Sequence, residues 1–300
     1  MPEIINVHRA GFVTIMGKPN VGKSTLINTL LEQKIAAVSS KPQTTRKRQL
    51  GILSLPDAQI IFQDTPGVHK ALHKLGECMN QEALATIEDA DLILFVVDAS
   101  QPPNDEDEHL SGFMSHSNLP ILLVLNKVDL IHNKISPYQE SYQALVPTAT
   151  PVSISATHRK SLDGLLEMIT THLPENPPYY DTDQVTDWYE RDICADLIRE
   201  AALNLLHHEV PHSIAIRIDE YAEREGGAVY IAATLFVERE SQKPIVIGKG
   251  GEMLKEIGST ARRAIQTMNE RRVYLELRVK VRENWRNKNN ILKLFGYHIN

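Results

Sequence analysis

Apolar and polar positions along this chain follow two different patterns. In the first part, short continuous apolar runs alternate with stretches of helical spacing. Gly11 to Met16, Asp91-Leu-Ile-Leu-Phe-Val-Val-Asp98, Pro120-Ile-Leu-Leu-Val-Leu-Asn126 and Pro151-Val-Ser-Ile-Ser155 have strand length and little polar alternation. Such runs suit strands buried on both faces of a parallel sheet. Gln49 to Leu55 and Gln59 to Phe62 read as two shorter strands around the Pro56-Asp57 turn. Thr25 to Leu31, about Cys78 to Glu88, Glu106 to Met114 and Leu162 to His172 carry helical spacing. The alternation predicts an α/β domain with a doubly wound, mostly parallel sheet over residues 1–175. Its functional groups should collect at the carboxyl ends of the strands.

Pro174-Glu-Asn-Pro-Pro-Tyr-Tyr-Asp breaks that pattern, and residues 176–186 read as a linker. Residues 187–300 predict a smaller α+β domain. Asp187 to His207 reads as a helix with Ile193, Leu197, Ala201 and Leu205 on one face. His212 to Glu223 and Ala228 to Glu240 alternate like half-buried strands, with Gly226-Gly227 turning the chain between them. Helical segments from Glu252 to Ile257 and Ser259 to Arg271, a strand from Val273 to Val281 and a closing helix from Glu283 to Phe295 follow.

The loops of the first domain carry the chemistry. Gly17-Lys18-Pro19-Asn20-Val21-Gly22-Lys23-Ser24, continuing into Thr25, is G-x-x-x-x-G-K-S between a strand and a helix. Glycines let successive N–H groups converge on one anion, and the helix N-terminus adds partial positive charge. Lys23 is expected on the β- and γ-phosphates and Ser24 on Mg²⁺. Asp64-Thr65-Pro66-Gly67 stands at a strand end, where Asp64 can serve the Mg²⁺ shell and the Gly67 N–H the γ-phosphate. Asn126-Lys127-Val128-Asp129 discriminates between bases. The Asp129 carboxylate can accept from N1–H and the 2-amino group of guanine, and adenine offers neither donor there. Asn126 and Lys127 would brace that loop and cover the base. Ser155 and Ala156 are where a backbone N–H could read guanine O6. The polar stretch Val38 to Arg48 contains Thr44 and Thr45, either of which could join the Mg²⁺ shell, with Thr45 preferred. Val68 follows Gly67, so no glutamine stands where many GTPases orient the attacking water, and His69 is adjacent. Slow intrinsic GTP hydrolysis is expected.

Charge is unevenly distributed, most sharply within the second domain. The net charge is −6. Yet residues 243–300 hold 13 Lys/Arg against 5 Asp/Glu, whereas residues 181–242 hold 5 against 14. The basic segment suggests a local polyanion-binding face. It contains Gly248-Lys249-Gly250-Gly251, a G-x-x-G loop, followed by Arg262 and Arg263. In KH modules such a loop clamps the backbone of about four nucleotides. Tyr274 and Trp285 are the nearest rings, and core packing is expected for both. Cys78 and Cys194 are far apart and lack metal-ligand spacing, as in a reducing compartment. The N-terminus shows no signal-peptide pattern, and the longest strongly apolar run, Leu92 to Val97, is too short to span a membrane. A cytoplasmic protein is expected.

The set G-K-P-N-V-G-K-S, P-Q-T-T-R, D-T-P-G and N-K-V-D resembles the TrmE–Era–EngA group of translation-associated GTPases. Members are similar in carrying a hydrophobic residue after the D-T-P-G glycine. The resemblance links Asn20 to K⁺ binding near the phosphates, a cation placed where an arginine finger otherwise acts. The second domain resembles a type II KH domain, which selects one branch of the group. That branch implies GTP/GDP and Mg²⁺ as ligands, catalytic roles for Asn20, Lys23, Thr45 and Gly67, and Mg²⁺ ligation by Ser24, Thr45 and Asp64. It also implies binding to the 3′ region of 16S rRNA, a role in small ribosomal subunit assembly, a monomer, and peripheral association with the inner face of the cell membrane. Two rival readings are a GTPase coupled to RNA modification, for which no spare Cys/His constellation is evident, and a GTP-gated RNA-binding module without turnover.

Overall fold

The structure is a computed structural model describing residues 8–39, 41, 43–68, 71–131 and 137–297. It divides into two compact units, Met1–Ala36 with Thr45–Lys70 and Met79–Asp187, and Ala37–Thr44 with Ala71–Cys78 and Trp188–Asn300.

The first unit follows the alternation in the sequence. In chain order its elements are β1 (Arg9–Met16), α1 (Lys23–Leu31), β2 (Gln49–Ser54), β3 (Ala58–Asp64), α2 (Lys74–Glu88, in this unit from Met79), β4 (Leu92–Asp98), α3 (Asp105–Met114), β5 (Ile121–Asn126), α4 (Gln139–Leu145), β6 (Thr150–Ser153) and α5 (Leu162–His172). The sheet order is β2-β3-β1-β4-β5-β6, parallel except for the β2–β3 hairpin. The runs of β4 and β5 are buried on both faces, whereas the run of edge strand β6 is not: Thr150 and Pro151 are exposed and Val152 and Ser153 half-buried. In β4, Leu92, Leu94 and Val96 join the core with Leu26 and Leu30 of α1 and Leu165 of α5. Ile93, Phe95 and Val97 face the opposite core with Leu110 of α3 and Tyr142 of α4. Helix α4 was not expected. It has only two turns, and Tyr142 is its one buried residue, too little to mark an apolar stripe.

The proline-rich segment after α5 runs back along the first unit. Backbone N–H groups of Tyr179 and Tyr180 donate to Gln59 Oε1 at 2.8 and 3.0 Å. Ile52 N–H donates to the Val185 carbonyl at 2.8 Å, and Leu50 N–H to Asp187 Oδ1 at 2.9 Å. The strap thus occupies backbone donors of edge strand β2, which would otherwise stand open to another strand.

The second unit contains α6 (Glu190–Leu205), β7 (Ala215–Glu223), β8 (Val229–Val237), α7 (Lys243–Ile247), α8 (Glu252–Asn269), β9 (Val273–Val281) and α9 (Asn289–Leu294). Strand β8 is central, antiparallel to β7 and parallel to β9. Its alternation buries Val229, Ile231, Ala233 and Leu235 under Ile193 and Leu197 of α6 and Ile257, Ala261 and Ile265 of α8. The structure corrects three expectations. Helix α8 is continuous, because Gly258 sits mid-helix where the packing of both flanks outweighs its roughly 1 kcal/mol cost. The closing helix is reduced to a turn at Trp285–Asn287 and the short α9. Tyr274 is 62 % exposed, since β9 places it on the face opposite Val273 and Leu275. Trp285 is buried as expected, its indole N–H donating to the Ser213 carbonyl at 2.8 Å.

Candidate nucleotide site and nucleic-acid groove

The glycine loop leaves β1 and turns directly into α1. Gly22 supplies the helix N-cap with φ of 101°, and a Cβ there would lie 2.4 Å from Asn126 Nδ2. Only glycine meets both demands. Lys23 is buried, and its Nζ donates to the carbonyls of Gly17 at 2.8 Å and Lys18 at 3.1 Å. Burial pulls its pKa down to about 8, against an upward pull from Asp64. Lys18 turns its ammonium away to Asp107. Asn20 is exposed with φ of 67°.

Three oxygens meet beside this loop. Ser24 Oγ lies 2.9 Å from Thr45 Oγ1, and the two hydroxyls lie 3.0 and 3.1 Å from Asp64 Oδ2. Two hydroxyls and a carboxylate are hard oxygen donors of the kind Mg²⁺ takes, with its other positions left for water and phosphate. The geometry separates the two threonines, because Thr44 Oγ1 donates instead to the Lys41 carbonyl at 2.8 Å. Thr65 Oγ1 donates to the Ile15 carbonyl at 2.7 Å, which ties the D-T-P-G turn to β1. Gly67 packs on the glycine loop; a Cβ there would come within 2.9 Å of the Pro19 nitrogen. Val68 is buried in the core with Phe95 and Leu110. His69 and Pro42 lie outside the described residues.

The base-recognition loops are cross-braced. Asn126 Nδ2 donates to the Val21 carbonyl at 2.8 Å, and Asn126 Oδ1 accepts from the Ala156 N–H at 3.0 Å. Lys127 Nζ pairs with Asp98 Oδ2 at 2.8 Å. Burial pushes the Asp98 carboxyl up, but hydrogen bonds from Lys127 and Ser100 outweigh it and hold it below the ordinary range. Ser155 Oγ donates to Asp129 Oδ1 at 2.5 Å. The N–H groups expected to read guanine O6 have protein partners here: Ala156 serves Asn126, and Ser155 N–H donates to the Lys160 carbonyl. The side chains of these two loops support one another more than the spacing of the motifs suggested.

In the second unit, Gly248-Lys249-Gly250-Gly251 joins α7 to α8. Gly248 has φ of 75°, and a Cβ there would lie 2.7 Å from the Met253 backbone nitrogen. A groove of about 410 Å³ opens beside the loop. Leu254, Leu275 and Leu277 give it an apolar floor, and Lys255 and Arg262 supply positive charge. Gly258 keeps the α8 wall low, with Leu277 Cδ1 at 3.4 Å from where its Cβ would stand. Arg263 does not line the groove; its Nε donates to the Ser259 carbonyl at 3.3 Å. Sequence reading missed Leu254, Lys255 and Gly258. A signal existed: Gly251, Leu254, Lys255, Gly258, Ser259 and Arg262 repeat at 3- and 4-residue steps, one face of one helix.

A G-x-x-x-x-G-K-S loop braced to an N-K-x-D turn, in a chain whose second unit carries a G-x-x-G groove, defines a P-loop GTPase carrying a KH domain. Comparison with known proteins agrees. Residues 12–127 match the family model described as 50S ribosome-binding GTPase, and residues 209–286 match that of the KH domain. Era in complex with MgGDPNP and nucleotides 1506–1542 of 16S ribosomal RNA is 40 % identical, with a TM-score of 0.93 over 97 % of this chain and 100 % of that one. A variant of Aquifex aeolicus Era bound to GDP·AlF4⁻ is also 40 % identical, with a TM-score of 0.92 and the same coverage. The chain belongs to the Era family of GTPases. Among the described residues, no helix is long and apolar enough to cross a membrane.

Proposed function

We propose that this chain binds and slowly hydrolyses Mg²⁺-GTP while its KH groove holds the 3′ region of 16S rRNA during small-subunit assembly. The observation that carries the reading is the convergence of Lys23, Ser24, Thr45 and Asp64 around one phosphate loop, in a chain that also builds a basic G-x-x-G groove. Mg²⁺, when bound, neutralises charge on the transferring phosphoryl group. Ser24, Thr45 and Asp64 would hold it. Lys23 and the loop N–H groups stabilise the same charge from the protein side. Asp129, steadied by Ser155, selects guanine over adenine. Val68, directly after Gly67, offers no group that could align water, so intrinsic turnover is slow. Asn20 stands where a K⁺ ion could add the missing positive charge. In the groove, Gly248–Gly251 admit a phosphate backbone closely, and the leucine floor takes bases. A cytoplasmic location, with any membrane association peripheral, is supported by two unbridged, buried cysteines.

Phosphate release, measured with and without an RNA copying the 3′ end of 16S rRNA, tests this reading. Turnover with GTP but not ATP, together with tight binding of that RNA over a scrambled one, is expected. GTP binding without turnover under either condition would favour the GTP-gated module instead.

A further inference from the structure

The geometry points to the Lys18–Asp107 ion pair as a positioning device that anchors the phosphate loop to α3 and so aims Lys23. Lys18 occupies a variable position of G-x-x-x-x-G-K-S. Its Nζ donates to Asp107 Oδ2 at 2.7 Å, with side chains 9 % and 0 % exposed. Asp107 is itself locked in place. The same Oδ2 accepts the Asn104 backbone N–H at 3.0 Å, while Asn104 Oδ1 accepts the N–H groups of Glu106 and Asp107. This capping box holds the carboxylate at the start of α3. Among the described residues the other oxygen, Asp107 Oδ1, is buried without a hydrogen-bond partner, and Lys18 is the cation paired with the buried charge.

The loop side carries the consequence. The Lys23 ammonium is oriented by the carbonyls of Gly17 and Lys18. These two carbonyls flank the Lys18 α-carbon, so an anchor on the Lys18 side chain limits how far either can swing. The links run from Lys23 through the two carbonyls and the Lys18 side chain to Asp107 and the α3 cap, 89 residues along the chain. Lys18 touches no phosphate in this scheme, and its ammonium is spent on Asp107. A displacement near 1 Å at a reacting group can cost about 10²-fold in rate, so a remote anchor of this kind matters to catalysis.

The inference rests on the chain being a GTPase. Full-length wild type, K18M, K18R, D107N and the double variant K18M/D107N are compared for kcat and KM with Mg²⁺-GTP and for melting temperature, with kinetics run well below each Tm. K18M and D107N are expected to lower kcat about tenfold, with a smaller change in KM. K18R should recover most of the loss, since arginine can remake the pair. The double variant should lose no more than the worse single one, because both break the same contact. A K18M protein with lower Tm and wild-type kcat would reduce the pair to structural glue and overturn the proposal, as would losses that multiply in the double variant. If K18M fails to fold, K18M/D107N, which buries no lone charge, carries the comparison: wild-type kcat there overturns the proposal. Absence of GTP turnover by wild type would instead sink the GTPase reading.

Discussion

Ser155 donates its hydroxyl proton to Asp129 Oδ1 at 2.5 Å, so the carboxylate proposed to recognise guanine is steadied by a residue from the next strand's loop. The bond occupies one lone pair of Oδ1, and Oδ2 lies 3.7 Å from His158 Nδ1. A hydrogen bond to a charged group contributes about 1.5–3 kcal/mol, so S155A should weaken GTP binding roughly tenfold or more. It should also narrow the preference for GTP over ATP. Titration of fluorescent GDP, with ATP as competitor, checks both effects.

Lys23 sets an alkaline limit. Its pKa of about 8 in the nucleotide-free protein means that the ammonium is lost as pH rises past 8. Since kcat/KM reports the free enzyme's ionisations, it should fall above about pH 8. Stability moves the other way. The unfolded chain keeps the lysine protonated toward 10.5 and so binds more protons between about 8 and 10.5, and the nucleotide-free protein gains stability with pH across that window. A K23M control should lack this contribution in denaturant titrations.

The two adjacent threonines should behave differently. Thr45 shares its hydroxyl with Ser24 and Asp64, whereas Thr44 bonds a neighbouring carbonyl. T45A is expected to cut Mg²⁺-dependent GTP turnover about 10²-fold, the scale of removing one preorganised transition-state contact. GDP affinity should change little. T44A should leave turnover within about threefold, as expected for a loop hydrogen bond worth about 1 kcal/mol. Single-turnover hydrolysis across an Mg²⁺ series separates them.

Restoring a glutamine after Gly67 should not create a faster enzyme. Val68 is buried between β4 and α3 side chains, so V68Q would bury an amide in an apolar core. A loss of about 1–3 kcal/mol is expected, with no rise in kcat. Thermal melts and phosphate release measure the two quantities independently.

Lys255 and Arg262 should act on RNA chiefly through charge. Each alanine variant is expected to weaken binding of the 16S 3′ sequence and of a scrambled RNA alike, and to reduce the salt slope by about one. G258L, which fills the groove beside Leu277, should lose the preferred sequence disproportionately. Fluorescence anisotropy at several salt concentrations distinguishes the outcomes.

Much of the nucleotide site was legible because its parts are contiguous. Gly17–Ser24, Asp64–Gly67 and Asn126–Asp129 each form one turn at the end of one buried strand, and the register of the sheet brings those ends together. The groove was half legible. Its glycine loop is contiguous, but Lys255 and Gly258 gain meaning only when α8 is continuous, and an isolated glycine reads as a break. Tyr274 was misassigned because an aromatic residue in a strand is equally compatible with either face until one face is known to be covered.

By itself the sequence determined the element types, the phosphate loop, the choice of guanine and the presence of a second module with a basic C-terminal segment. These follow from local rules: period, turn chemistry and charge. Tertiary structure alone decided which threonine meets Ser24 and Asp64, that Ser155 holds Asp129, and that Lys18 spends its charge on Asp107. Each of those joins residues from separate elements, and only burial of the intervening apolar strands sets the distances at which a hydroxyl or ammonium finds its partner.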